Sequence, residues 1–452
     1  DWVDVVSALK GNPRTTSRLA ESLSPWPHNG EKDLAAVKAK LADFVSKGQL
    51  GIFTNGYWGH PAMDLPPDVN LLAVSHYLQA LEAQKTANKI VTVLGSKTPN
   101  IQNLAVGGVA NAINFDNEAT LNMAKLYQIK GYIEEVKAFV DQVYFLDVAA
   151  IGAMYAPWLG YGAGVTNYLS VPDLPLDTAG TEFAMPGGVI TDANLGSFKP
   201  ITSFNDEMFR DNVAESIAHS WYDGDWQKHP WEEDTVPAYS DFDPEGAYSF
   251  VKAPRFDGKP MQVGPLAQVL GALAAGDELT TKFATEFLQV AGSVAGVKLT
   301  PAVLHSTLGR HAARAIRARV IAHLALGQWE ALVGNIATGD TDIFTPFEFP
   351  AGEIQGFGFH EAPRGTLSHW CIIENGKIKN YQCVVPSTWN AGPRDGADQM
   401  GPYEASLVGN PIADPERPLE VLRTIHSFDP CLACAIHTHD PDGNEVSKVR
   451  VL

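Results

Sequence analysis

Cysteine is scarce in this 452-residue sequence: Cys371, Cys383, Cys431 and Cys434 are its whole supply, all in the last quarter, which excludes a secreted disulfide framework. Positive charge is also short. Thirty-three Lys and Arg face 52 Asp and Glu, a net charge of −19 with no basic block, and this excludes a nucleic-acid binder, which needs clustered cations to neutralise phosphates. No initiator Met, basic n-region or apolar h-region opens the chain; Asp1-Trp2-Val3-Asp4-Val5-Val6 reads like the interior of a helix, so an upstream segment is expected to be missing. Long hydrophobic runs are absent as well. The uncharged stretch from Val148 to Pro172 carries Pro157 and several glycines, is poor in Leu and Ile, and has no flanking Lys or Arg, which favours a buried Gly-rich packing segment over a membrane span. A phosphate loop is excluded because Val106-Gly107-Gly108-Val109 lacks both the spacing and the Lys, and no G-x-S-x-G elbow occurs. What is present is a globular composition, 45% hydrophobic and 10% aromatic, long enough to bury a core without disulfide or metal staples.

The apolar spacing predicts a mainly α protein with small β elements (α+β), a long-helix bundle core with extended ordered loops. From Pro67 to Leu94, Leu71, Val74, Leu78, Leu81, Ile90 and Val93 recur mostly at three- and four-residue steps behind Asp68, which predicts a long amphipathic helix. Residues 117–145 repeat the pattern, and an Ala-rich helix is predicted from about Pro301 to Ile336, closed by Gly339-Asp340. Between them, residues 155–260 are crowded with Gly, Pro, Trp and Asp and show no sustained period. Trp370 to Glu374, then Asn375-Gly376, then Lys377 to Val385 predict a β-hairpin, and a last helix is predicted over Pro415 to Phe428. The expected organisation is a helical bundle part over 1–150, a loop-rich segment with short strands over 151–260, long core helices over 261–345, the hairpin and the chemically loaded motifs over 346–437, and a C-terminal extension over 438–452.

The most loaded motif is Asp429-Pro430-Cys431-Leu432-Ala433-Cys434-Ala435-Ile436-His437. Thiolates spaced C-x-x-C reach one soft metal together, but one pair fills only half of a four-thiolate site. A redox dithiol, half of a zinc or iron site, and an inert pair all stay open on spacing alone. In Glu361-Ala362-Pro363-Arg364-Gly365 a Pro fixes the backbone before an always-protonated Arg and a Gly admits a close neighbour after it; Arg364 either polarises a ligand in a pocket or sits in a surface ion pair. A similar Pro-Arg recurs at Ala253-Pro254-Arg255. Val384-Val385-Pro386-Ser387-Thr388-Trp389 reads as a strand running into a turn with a hydroxyl and free backbone donors. Arg310, His311, Arg314 and Arg317 share one side of the third helix, a stripe that is ordinarily a solvated or ion-paired face. His60, His76 and His219 read as hydrogen-bonded core or surface histidines.

Taken in order, these motifs resemble the large, catalytic subunit of nickel-iron hydrogenases, particularly the membrane-associated uptake type. The matching segments are Asn55 to Ala62, His219-Ser220-Trp221-Tyr222, Lys252 to Arg255, Gly264 to Ala267, Ala362 to Gly365, Val385 to Trp389 and Asp429 to His437, so the resemblance spans the chain. It implies that family's fold and the reversible heterolytic cleavage of H2. It also implies a nickel-iron centre in which nickel is held by Cys thiolates, two of them bridging to an iron that carries one CO and two cyanides. Cys431 would be a terminal nickel ligand and Cys434 a thiolate shared by nickel and iron. Arg364, oriented by Asp429, would lie over the open side of the nickel; Pro363 and Pro386 would supply apolar walls, and Ser387 with backbone near Arg364 would donate to the cyanides. His437, with the backbone carbonyl of Cys383, would bind a structural magnesium.

The resemblance further implies an iron-sulfur small subunit as partner, since electron-carrying clusters need cysteines this chain lacks. It implies nickel-insertion factors and a maturation protease that cuts between His437 and Thr438, so that residues 438–452 mark an unprocessed precursor. The precursor would be cytoplasmic and the mature pair, exported on the small subunit's signal, would sit at the periplasmic face of the membrane, attached through partner subunits. Several features depart from the family. The R-x-C-G-x-C motif with the first Cys pair, the early proton-relaying Glu and the acidic magnesium ligand are absent, which predicts an N-terminally incomplete chain. Asn100 stands where many relatives have His. Three alternatives accompany this identification: a metal-free relative such as the quinone-site subunit of respiratory complex I, a fragment that only docks a small subunit or maturation factor, and a structural zinc site built on Cys431, Cys434 and His437.

Overall fold

The structure, a computed structural model, describes residues 3–49, 60–348 and 350–431 together with the backbone of 434–439 and 445–451. The chain opens with α1 (Val5–Ala8), α2 (Pro13–Leu23) and α3 (Glu31–Ser46), which lie against the long α4 (Pro67–Gly95) around Leu34, Leu41, Leu71 and Val74. Pro67 begins α4, as its apolar spacing predicts, and Ser96 in the left-handed region ends it. The short strands β1 (Leu104–Ala105) and β2 (Gly108–Val109) form a hairpin around Val106-Gly107.

The helix predicted from residue 117 starts later, as α5 (Met123–Phe139), because Asn114 and Asn117 bond to nearby backbone N–H groups and hold that stretch in turns, while Asn122 accepts from Lys125 N as the cap. It then runs on past 145 through a π-helical turn, Val140–Tyr144, into α6 (Phe145–Met154). The uncharged stretch after Asp147 is therefore helix at its start and turn afterwards; it is only partly the buried segment expected, since Tyr155 and Trp158 are inside the core while Pro157 and Gly160 are exposed. No helix among the described residues is long and apolar enough to cross a membrane.

Short antiparallel strands follow, in loops that are ordered by their hydrogen bonds. These are β3 (Tyr168–Ser170), β4 (Asp173–Pro175), β5 (Phe183–Met185), β6 (Gly187–Ile190) and β7 (Lys199–Ile201), then α7 (Glu207–Asn212), β8 (Val213–Ser216), β9 (Gln227–Lys228) and β10 (Ala253–Phe256). They pair as β3-β6-β7, β4-β5 and β10-β8-β9. The core helices are α8 (Pro265–Ala275), α9 (Glu278–Ala295) and α10 (Thr307–Ala337). With α6 they enclose the main core of Phe145, Ala149, Leu266, Leu270, Phe283, Phe287, Ala313 and Ile316.

The last quarter is built on a meander, β11 (Glu353–Ala362), β12 (Gly365–Glu374) and β13 (Lys377–Val384). Asn375 and Gly376, both at positive φ, make the predicted turn between β12 and β13. The β13 strand ends at Pro386, the first residue of α11 (Pro386–Ala391), so the predicted strand-to-turn at Ser387 is a strand-to-helix junction. After α12 (Pro402–Leu407), the predicted helix over 415–428 is the shorter α13 (Leu419–His426), since Pro418 sets its start. The strand β14 (Cys434–His439) pairs antiparallel with β15 (Glu445–Val451). A second core, with Leu169, Val171, Phe209, Phe256, Trp370, Val384 and Trp389, welds the meander to the small sheets.

Candidate metal centre

The site is assembled by a turn, a helix start and a loop that are far apart in sequence. Ala362 and Gly365 form the last pair of the β11–β12 ladder, so Pro363 and Arg364 are the two residues of its turn. Proline presets φ for the first of them and leaves the Arg364 side chain at the tip. Gly365 has φ +127°, and a Cβ there would stand 2.5 Å from Gly264 N and 2.7 Å from Val263 Cγ2. That close neighbour, anticipated from the Pro-Arg-Gly pattern, is the Val263-Gly264 segment at the head of α8. The same segment is gripped from its other side by Asn390 of α11, whose side chain accepts from Val263 N and donates to Val263 O, both at 3.1 Å. The seam brings the Val263-Gly264 segment, the Pro363-Arg364-Gly365 turn and α11 together.

Arg364 then reaches the loop after α13. Its Nε donates to the backbone O of Asp429 at 2.8 Å and a terminal nitrogen to Asp429 Oδ1 at 3.1 Å. Asp429 holds φ +58°, a left-handed conformation unusual for a non-glycine residue, and this aims its carbonyl and carboxylate together at the guanidinium. Both side chains are over a third exposed, 34% and 39%, so the pair contributes at most about 1 kcal/mol to stability. Its evident product is geometry. Two residues on, Cys431 N donates to Ser387 Oγ at 3.1 Å, Ser387 being buried in the first turn of α11. Arg364, Asp429, Cys431, Ser387 and Pro386 are thus brought to one place. Pro386 is buried, whereas Pro363 and Cys431 are exposed, so the expected dry pocket is open on that side among the described residues.

The side chains of Cys434, His437 and Thr438, and the segment Asn55 to Gly59, lie outside the described residues; only the backbone of the first three, in β14, is described, with His437 opposite Lys448. Cys383 sits in β13 opposite His369, its Sγ 3.3 Å from His369 Nδ1, and burial pushes its thiol up. Among the described residues no group of His, Cys, Asp or Glu side chains is arranged to hold a metal ion by itself.

The Lys252 to Arg255 segment, by contrast, is structural. Arg255 is fully buried and donates to Asp395 at 2.6 Å and to the carbonyls of Pro254, Gln399 and Pro393. Lys252 contacts Glu233 and lies 2.8 Å from Glu215; burial and then the Glu215 charge push the Glu233 carboxyl up to about 8. The histidines behave as expected: the His76 ring bridges Asp147 at 2.7 Å and Asn29 at 2.8 Å, His219 bonds to Gly246 O, and His60 accepts from Ala62 N.

One expectation fails. The stripe of Arg310, Arg314 and Arg317 on α10 is not a solvated face: Arg310 is 3% and Arg317 7% exposed. Arg310 Nε donates to Ser427 Oγ at 2.7 Å and Arg314 to Ser427 O at 2.9 Å, while Arg317 donates to Glu361 O at 3.0 Å and Ala362 O at 3.2 Å. The cause is an unmet need for donors at buried carbonyls on either side of the site. A sequence signal existed: α10 has no acidic residue near these arginines, so the stripe had no partner on its own helix. Beside them, Glu361 is buried and accepts from Val171 N and Thr366 Oγ1, both at 3.0 Å; burial, opposed by Arg317, pushes its carboxyl up to about 8.

With a turn-borne arginine paired to Asp429, two residues before Cys431, comparison with known proteins gives the family. The nickel-dependent hydrogenase family matches residues 1–437. The chain is 52% identical to the Hydrogenase-2 large chain of Escherichia coli (strain K12) over 453 positions, covering all of this chain and 80% of that relative. It is 42% identical to the uptake hydrogenase large subunit of Bradyrhizobium diazoefficiens over 480 positions, covering all of this chain and 78% of that relative. Among solved structures, the Ni-Fe-Se hydrogenase from Desulfovibrio vulgaris Hildenborough in the reduced state superposes with a TM-score of 0.67 at 30% identity, over 82% of this chain and 71% of that one. The chain belongs to the nickel-dependent hydrogenase family, as a large, catalytic subunit with a nickel-iron centre and a small-subunit partner.

Proposed function

We propose that Arg364, Asp429, Cys431 and Ser387 form the C-terminal half of the hydrogenase active site, with Cys434 completing this chain's thiolate pair. The observation that carries it is the convergence on one spot of three motif segments, through Arg364 to Asp429 and Cys431 to Ser387. The donors present suit a nickel-iron centre in kind: Cys431 is an exposed soft thiol flanked by a fixed cation and a positioned hydroxyl. Cys431 would hold nickel, Cys434 nickel and iron, Ser387 and backbone near Arg364 would donate to cyanides of an Fe(CO)(CN)2 unit, and Pro363 and Pro386 would wall it. When bound, the centre would supply the Lewis acidity that polarises H2 for heterolytic cleavage.

The chain's own residues do the rest. Arg364, pinned by Asp429, is preorganised to favour charge separation, commonly a large catalytic contribution where water is excluded. The Cys431 Sγ takes the proton in preference to Arg364, because deprotonating a guanidinium at neutral pH costs about 8 kcal/mol from its pKa alone. The electrons released would pass to an iron-sulfur small subunit. His437 and the carbonyl of Cys383 would bind magnesium. Cleavage between His437 and Thr438 by a maturation protease, after nickel-insertion factors have acted, would give the mature subunit; the family match ending at residue 437 supports this. The precursor would be cytoplasmic, and the mature pair would sit at the periplasmic face, membrane-associated through its partners.

Metal content, infrared spectra and H2 oxidation of the purified heterodimer test the assignment. Arg364→Lys is expected to keep metals and the CO and cyanide bands but lose about 10²- to 10³-fold in turnover, the scale for removing one preorganised group. Unchanged turnover in Arg364→Lys would remove Arg364 from the mechanism.

A further inference from the structure

The Arg364 side chain and Asp429 both sit on chain segments, a turn and a loop, that other elements locate. On one side is the β11–β12 turn, and the residues entering it are Glu361 and Ala362, whose carbonyls accept from the two terminal nitrogens of Arg317 at 3.0 and 3.2 Å. On the other is the loop after α13, where Ser427 accepts from Arg310 Nε at its hydroxyl, 2.7 Å, and from Arg314 at its carbonyl, 2.9 Å. The Arg310 guanidinium also lies 3.8 Å from the ring centroid of Phe428, the residue before Asp429. Arg310, Arg314 and Arg317 stand at i, i+4 and i+7 on one face of α10, a helix of 31 residues whose Ala312, Ala313, Ala315, Ile316 and Val320 lie in the main core. One helix face thus contacts both segments that carry the Arg364–Asp429 pair, Arg314 and Arg317 through backbone carbonyls and Arg310 through the Ser427 hydroxyl and the Phe428 ring.

We propose that the arginine stripe of α10 is a positioning device for the active site: Arg317 locates the turn that carries Arg364, Arg310 and Arg314 locate the loop that carries Asp429 and Cys431, and the spacing of the stripe sets how the two meet. The proposal rests on the assignment of Arg364 and Asp429 to the active site. Arginine is required at 317 because its planar fork serves two adjacent carbonyls at once, which a lysine ammonium on a flexible stem does not do. Arg310 and Arg317 are buried and Arg314 half-buried, and the stripe has no acidic partner near it on its own helix.

The test uses the assembled heterodimer carrying Arg317→Lys, Arg314→Lys, or Arg319→Lys as a control on the same helix; Arg319 pairs with Asp141 and Glu286, away from these segments. Nickel and iron content, infrared CO and cyanide bands, kcat and KM for H2, and amide exchange are read on each. Expected for Arg317→Lys and Arg314→Lys are full metal content, shifted infrared bands, a roughly 10- to 100-fold loss in kcat with little change in KM, and faster exchange confined to residues 361–366 or 426–430 respectively. Arg319→Lys should match the wild type. Wild-type bands and kcat in both lysine variants would overturn the proposal, as would loss of metal or of assembly in both, which would make the stripe merely structural. Arg364→Lys run alongside separates the two levels: if it is fully active the active-site assignment itself fails, and if it is inactive while the stripe variants behave like wild type, only the positioning role fails.

Discussion

At the scale of single residues, the site shows how little of its geometry is owned by the residues that would do chemistry. Arg364 owes its direction to two acceptors on Asp429, one of them backbone. Asp429→Asn keeps the backbone acceptor and an amide oxygen but removes the charge; weakening a pair worth up to about 1 kcal/mol should lower turnover about 2- to 5-fold with metals retained, as measured by H2 oxidation alongside elemental analysis. Glu361 gives a pH prediction. Its carboxyl is pushed up to about 8 in the folded chain by burial, against 4.5 for a free one, so the folded state prefers it neutral. Its contribution to stability is then fully present below pH 4.5 and is lost as pH rises through 8. Glu361→Gln, neutral throughout, should melt progressively higher relative to the wild type as pH is raised from 5 to 8. A gap that narrows over that range would contradict the assignment. Asp141 has the opposite sign: burial alone would raise it, but bonds from Lys137, His323 and Arg319 hold it lowered, so its contribution is present at neutral pH and lost in acid.

At the scale of elements, what the chain made legible was whatever carried its own period or its own turn. The helix from Pro67, the Ala-rich helix ending near Gly339 and the Asn375-Gly376 hairpin all announce themselves locally. The strand β11 did not, because Gly356 and Gly358 interrupt its alternation and its partner is supplied only across the Arg364 turn. Nor did α11, whose six residues are too few to show a period. Yet α11 is an anchor. Asn390→Ala would leave Val263 N–H and C=O buried without partners, a cost of about 2–4 kcal/mol that should appear in urea unfolding of the heterodimer. Gly365→Ala should be more severe still, since both its φ and the 2.5 Å approach to Gly264 N forbid a Cβ; failure to accumulate folded chain is the expected outcome, and a wild-type melting point would contradict the seam.

At the scale of the whole molecule, the motifs were legible and their convergence was not. The pattern from Ala362 to Gly365 and from Asp429 to His437 was enough to bring the family into view, but nothing local in the chain joins Arg364 to Asp429, or Val263 to Asn390, across the fold. The largely buried arginine stripe was missed for the same reason, because its acceptors, three carbonyls and the Ser427 hydroxyl, lie on remote segments invisible to any helical period. Whether the assembled molecule uses Cys431 as inferred is decided by nickel content. In heterodimer purified with wild-type chain and with Cys431→Ala, the expected result is nickel close to one per large subunit in the first and nearly none in the second. Nickel retained at full stoichiometry in Cys431→Ala would contradict the site built here on Arg364, Asp429, Ser387 and Cys431.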